Sequence, residues 1–155
     1  MHVPLHALRV GTGADMILHC NYEELQALRS GARAVLGDEG VPACGVVAPP
    51  RARARVENLL ATLDGDLSLS TLAEQEACEE AVRTILACAH AEMDAAVVAL
   101  HPAAEKAVAA YFDYAHVRAV LGRLEEMGKH MRALIEVVTG GPADEKSALT
   151  FAFPD

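Results

Sequence analysis

Between Ala103 and Thr139 the chain carries no proline and no stop signal, so the stretch reads as one helix of about 37 residues, ~55 Å long at the usual rise. The apolar residues of this helix change face halfway along it. Ala104, Ala107, Val108, Tyr111, Phe112 and Ala115 share one side. Val117, Val120, Leu121, Leu124, Met127, Met131, Leu134, Ile135 and Val138 share another, displaced by roughly 150° at ~100° per residue. A helix with two apolar faces serves two packing partners or bends near Asp113 and Tyr114.

The second stripe has heptad spacing. With Val117, Leu124, Met131 and Val138 at a, the d positions are Val120, Met127 and Leu134, and all seven are apolar. An earlier stripe of Val82, Ile85, Leu86, Ala89, Met93, Ala96, Val97 and Leu100 marks a helix that starts at Thr71 and ends at His101-Pro102, because the residue before proline avoids the α region. The two helices should return antiparallel as a hairpin. A turn at 101–102 sets the first helix mainly against residues 103–121. The remaining seam then needs one of the shorter helices or a second copy of the chain. The expectation is a homodimer whose interface holds Val117, Val120, Leu121, Leu124, Met127, Met131, Leu134 and Val138, with Tyr111 and Tyr114 at the phase change, where tyrosines suit interfaces.

The first part of the chain alternates strand and helix signals. Residues 5–10 and 16–20 flank a glycine-containing loop at Gly11 and Gly13 and read as a hairpin. Asn21 with Glu24 three residues later opens a helix with a variant capping box, carried by Leu25, Leu28, Ala32, Val35 and Leu36 and stopped by Gly37 and Gly40. A connector over 40–50, with a short strand at 45–48, leads to a helix on Val56, Leu59, Leu60 and Leu63 begun by Pro49-Pro50. The segment from Ile17 to Glu24 also aligns with that from Leu67 to Glu74 at an offset of 50, as strand, cap and helix. That pattern predicts two adjacent strands, each feeding a helix on the same side. Leu149 to Phe153 alternates as a last edge strand.

The predicted fold is therefore one domain over 1–155 of class α+β. A small, mostly antiparallel sheet with short helices occupies 1–70, a long C-terminal antiparallel helical hairpin 71–140, and a tail with a short strand 141–155.

Composition removes several functions. The formal net charge of −9 repels nucleic acid and anionic membranes. Aromatics are 4% with no Trp, too few for a base-stacking platform. No run approaches the ~20 apolar residues of a membrane span and no signal peptide is visible, so the expected setting is the cytoplasm, with Cys20, Cys44, Cys78 and Cys88 as reduced thiols.

No motif specifies a reaction. Gly11-x-Gly13 lacks the third glycine and following helix of a dinucleotide loop. No serine lies in Gly-x-Ser-x-Gly. Cys88 and His90 point ~200° apart on a helix. Arg51, Arg53 and Arg55 crowd a helix N-terminus, where cations oppose the macrodipole, so an anionic or acidic partner, or the chain's own acidic run from Glu74 to Glu80, would favour them. Glu126 and His130, four apart, read as a surface contact. His90 and Glu92 on one arm of the hairpin and Asp113 and His116 on the other resemble half of a carboxylate–histidine site between helices, which would take a divalent metal. The function expected is a non-enzymatic interaction or regulatory module that works without a cofactor, pairing with itself and with another protein. A small metal-binding protein or metal-dependent enzyme is the alternative.

Overall fold

The computed structural model describes residues 16–37, 48–98 and 104–140. Its elements are β1 (Met16–Leu18), α1 (Tyr22–Leu36), α2 (Pro50–Thr62), β2 (Leu67–Leu69), α3 (Leu72–Val98) and α4 (Ala104–Thr139). Helix makes up 83% of these residues, and the sheet is one antiparallel pair, so the expected α+β fold is here mostly helical. The strands predicted at 5–10 and 149–153 lie outside the described residues, as do the turn at His101-Pro102 and all of the strand predicted at 45–48 except Ala48, which is not in a strand.

Local signals fix the helix starts. The Asn21 side chain accepts from the Glu24 N–H at 2.8 Å, and the Glu24 carboxylate accepts from the Asn21 N–H at 3.0 Å. This reciprocal box satisfies two orphan donors of α1, each such cap contributing ~1 kcal/mol. Gly37 closes α1 at φ 65°, a region glycine enters without steric cost. Pro50 occupies the first turn of α2. At α3 the box is shifted by one residue. Thr71 Oγ1 accepts from the Glu74 N–H at 3.0 Å, but Glu74 accepts in return from Ser70, not Thr71, at 2.8 Å.

The two strands predicted to be neighbours do pair. Met16 faces Leu69 and Leu18 faces Leu67 in antiparallel register. All four side chains are buried, and with three residues per strand the pair is a clasp and not a layer. The core lies between the helices. Leu28, Ala32 and Val35 of α1, Val56 and Leu59 of α2, and Leu72, Val82 and Ile85 of α3 meet there with the seam of α4.

α4 is one continuous helix of 36 residues through Asp113 and Tyr114. It packs chiefly on α3 and also on α1. Partners that ascend α3 descend α4: Glu76 pairs with Arg132 at 3.1 Å, Arg83 with Glu125 at 3.4 Å, and the His90 ring lies 5.7 Å from that of Tyr114.

Two helix crossings depend on glycine. A Cβ on Gly31 of α1 would collide with Ile85 Cγ2 of α3. A Cβ on Gly128 of α4 would lie 2.8 Å from Gln75 Nε2. Gln75 is fully buried and donates Nε2–H to the Leu124 carbonyl at 2.7 Å.

Candidate interaction surface

The heptad seam is spent inside the chain. Val117, Val120, Leu121, Leu124, Met127, Met131 and Ile135 are all at most 8% exposed, covered by α3 and α1. Leu134 is half-buried against the same core, and Val138 is exposed. The seam residues taken above as a dimer interface are thus core residues of the single chain. The reason is length: α3 reaches back to Leu72 and covers α4 as far as Arg132, and α1 closes the flank.

The first stripe has the opposite fate. Val108, Tyr111 and Phe112 are 53%, 55% and 53% exposed, near the start of α4. The side of α4 that meets α3 at this level carries the half-buried Ala107, Ala110 and Tyr114, which continues the seam's phase back toward the turn. The roughly 150° offset therefore turns the bulky stripe away from α3 into solvent. The Tyr111 and Phe112 rings stand edge-on, 5.8 Å apart. Val97 and Val98 at the end of α3 are also exposed. A monomer seldom leaves large apolar groups clustered in this way.

Comparison with protein-family models, curated proteins and solved structures gave no match. The chemistry of this chain has to be read from its own side chains.

The polar candidates of the sequence are held internally. Arg55 and Arg51 reach Glu80 at 3.3 and 3.7 Å, and Arg53 donates to the Leu36 carbonyl at 3.2 Å, capping the C-terminus of α1. The cations at the start of α2 thus serve α3 and α1. His90 pairs with Asp94 on its own helix at 3.3 Å. Glu126 pairs with Lys129 at 3.3 Å. Glu92 and Asp113 do approach each other. Burial raises both carboxyl pKa values, Asp113 raising that of Glu92 further; Lys106 opposes the shift at Glu92, and His116 opposes it at Asp113. Among the described residues no three His, Cys, Asp or Glu side chains converge as metal ligands. His90, Glu92, Asp113 and His116 are neighbours along the two helices and are not gathered into one site.

The raised pair has a consequence for pH. Because the folded state binds these protons more tightly than the unfolded chain, this end of the molecule loses stability as pH rises through the interval between the ordinary and the raised values. Glu92→Gln should therefore stabilise the fold at pH 7 by a small amount, a few tenths of a kcal/mol after solvent screening, and not at pH 3. Chemical denaturation at the two pH values measures it, and a loss of stability at pH 7 would contradict the assignment.

Sequence reasoning missed the strongest polar contact. Arg123, which lies ~100° from the seam centre, grips Glu24 with both terminal nitrogens at 2.6 Å and donates to the His19 carbonyl at 3.2 Å. Glu24 is 4% exposed. Burial alone would raise its pKa, but the guanidinium and the Asn21 N–H outweigh that and hold it below the usual carboxylate range. The long arginine side chain reaches the pair from a flank position.

No activated nucleophile emerges among the described thiols. Burial pushes Cys20 up to about 11, against the pull of Arg123, and Cys78 to about 12. Both are protonated at neutral pH and unreactive as thiolates. Cys20 and Cys78 are free, whereas Cys88 is disulfide-bonded, which corrects the reduced-thiol reading at that position. Cys78 floors an open groove of about 460 Å³ beside Leu59, Leu67 and Ala77. Three polar groups on its rim are engaged elsewhere: Arg55 with Glu80, Thr62 with the Asn58 carbonyl and Glu74 with Ser70. Among the described residues no helix is long and apolar enough to cross a membrane.

Proposed function

We propose that this chain is a non-enzymatic interaction or regulatory module that forms a homodimer through α4, using the outer face at Val108, Tyr111 and Phe112. The observation that carries this reading is their exposure, each over half, on a helix whose other apolar face is buried within the chain from Val117 to Met131. Covering a side chain of this kind contributes roughly 1.5–3 kcal/mol. A single-helix contact is smaller than a standard interface, so the dimer should form in the micromolar range, on the order of 10⁻⁶ M.

The test is light scattering after size exclusion over a range of concentrations. The parent should pass from monomer to dimer, and Tyr111→Lys with Phe112→Lys should remain monomeric with an unchanged helical circular dichroism spectrum. Leu124→Asp, by contrast, should unfold the chain, because that side chain is fully buried. A parent that stays monomeric at the highest concentration, or a double variant that still dimerises, would overturn the proposal.

A further inference from the structure

We infer that Gln75 and Gly128 form a matched pair that sets the register of α3 against α4, a device for specificity and not for stability.

The apolar seam of α4 adheres to α3 without fixing where along it. Its residues recur every seven, so a slide of one heptad exchanges Leu124 for Val117, Met127 for Val120 and Met131 for Leu124, apolar for apolar. A polar side chain at a core position removes that degeneracy, because one alignment alone gives it a partner. Among the described residues, Gln75 is the one buried polar side chain bonded across the α3–α4 contact. Buried Glu24 meets α4 from α1, and buried Glu79 pairs with Arg83 on its own helix at 2.8 Å.

The receiving site on α4 is a carbonyl beside bare backbone. Gln75 Nε2–H donates to the Leu124 carbonyl at 2.7 Å, and the helical ladder pairs that carbonyl with the N–H of Gly128, four residues on. Gly128 is buried, and a Cβ there would stand 2.8 Å from Nε2, 3.0 Å from Oε1 and 3.1 Å from Cδ of Gln75. The amide therefore fills the notch that the missing side chain leaves. A slide of one heptad puts Leu121 or Ile135 in that place, and either side chain collides with the amide. α4 holds one other glycine, Gly122. Bringing it to the notch takes six residues, which turns the seam ~120° away from α3. Gln75 Oε1 finds no donor among the described residues, so an apolar side chain of the same shape would be buried here at less cost.

The rim repeats the instruction. Glu76 meets Arg132 and Arg83 meets Glu125 in this register. The slide that brings Val117 to Gln75 sets Glu76 on Glu125 and Arg83 on Arg118, and the opposite slide sets Arg83 on Arg132. Each brings like charges together. Pairs this exposed discriminate weakly, so the buried amide carries the larger share of the choice.

Two experiments test the pair. In the first, urea unfolding reads a double-mutant cycle. Gly128→Ala should raise the unfolding equilibrium constant of the parent by roughly tenfold or more, as overpacking does. In the Gln75→Ala background it should lower that constant, because the notch is then empty and only helix propensity acts. Equal effects in the two backgrounds would overturn the match. In the second, disulfide trapping at low protein concentration, resolved by peptide mass mapping, reads the register itself. With Gln75 in place, Glu76→Cys should link readily to Arg132→Cys and only slowly to Glu125→Cys. Gln75→Met keeps the length of the side chain and removes the amide. It should leave the urea midpoint unchanged or raised, and should speed the link between positions 76 and 125 by roughly tenfold or more as the slipped alignment is visited. Glu76→Cys with Arg118→Cys, two heptads out, sets the rate that unfolding alone produces. An unchanged rate at 76 and 125 in Gln75→Met, or a rise matched at 76 and 118, would overturn the register role. None of these outcomes depends on whether the outer face of α4 self-associates.

Discussion

Arg123→Ala is expected to lower the stability of the folded chain by roughly 3 kcal/mol at pH 7. The guanidinium makes both of its 2.6 Å contacts to a carboxylate that has almost no access to water. Its removal leaves Glu24 charged, buried and held only by the Asn21 N–H, and a buried charge stripped of its partner costs more than the pair contributed. Arg123→Lys should recover only part of the loss, because an ammonium cannot present the two-pronged donor that this carboxylate accepts. The pH dependence identifies the cause. In the parent, the folded pKa of Glu24 is depressed, so its contribution is complete above the ordinary carboxylate range and is lost as pH falls through the folded value. In Arg123→Ala, burial dominates and raises that pKa, so acid relieves the variant while it weakens the parent. The two stability curves should converge in urea titrations as pH falls through the depressed folded pKa of Glu24. A variant within 0.5 kcal/mol of the parent at pH 7 would show that the contact is solvent-shared and of the weak surface kind.

Gly31→Ala should destabilise by about 1–3 kcal/mol, the range for overpacked cores, even though alanine is the better helix former by up to ~1 kcal/mol. The collision is with the branch methyl of Ile85, which is fully buried and has nowhere to retreat. Gly122→Ala provides the internal control. It sits in the middle of α4 with open space around it, so only the helix propensity acts, and the variant should gain about 0.5–1 kcal/mol. Ile85→Leu removes the branch methyl and should restore much of the loss in Gly31→Ala. Thermal or urea unfolding at low protein concentration measures all three. Equal effects at positions 31 and 122 would mean that the α1–α3 crossing relaxes freely around the added carbon.

Much of this fold was legible where the signal is local. The Asn21–Glu24 box, the glycine stop at 37, the proline start of α2 and the neighbouring strands at Met16 and Leu67 rest on contacts within a few residues or on a repeated pattern. The change of phase in α4 was also legible, but its second stripe, expected to meet a second copy, is buried within the chain, and Val108, Tyr111 and Phe112 of its first stripe are exposed. Periodicity states which residues share a face. It does not state what lies opposite, and that depends here on how far α3 reaches back and on where α1 docks. Gln75 shows a signal that was present and unused, because it stands three residues after Leu72 and three before Cys78, on a face that is otherwise apolar. Arg123 gave no such sign. Its partner is 99 residues away, and a lone arginine beside an apolar seam looks the same whether it meets water or a buried glutamate.

The backbone ladder of α4 runs unbroken from Ala104, but its fully buried side chains begin only at Val117. A long helix anchored over part of its length opens from the free end, at a free energy well below that of global unfolding. The segment before Val117 should therefore exchange its amide hydrogens faster than the rest, like a ruler clamped at one end of a bench. Whatever settles on Val108 and Tyr111 will slow that exchange selectively, so helical order in this one segment becomes a gauge of occupancy that the core does not register.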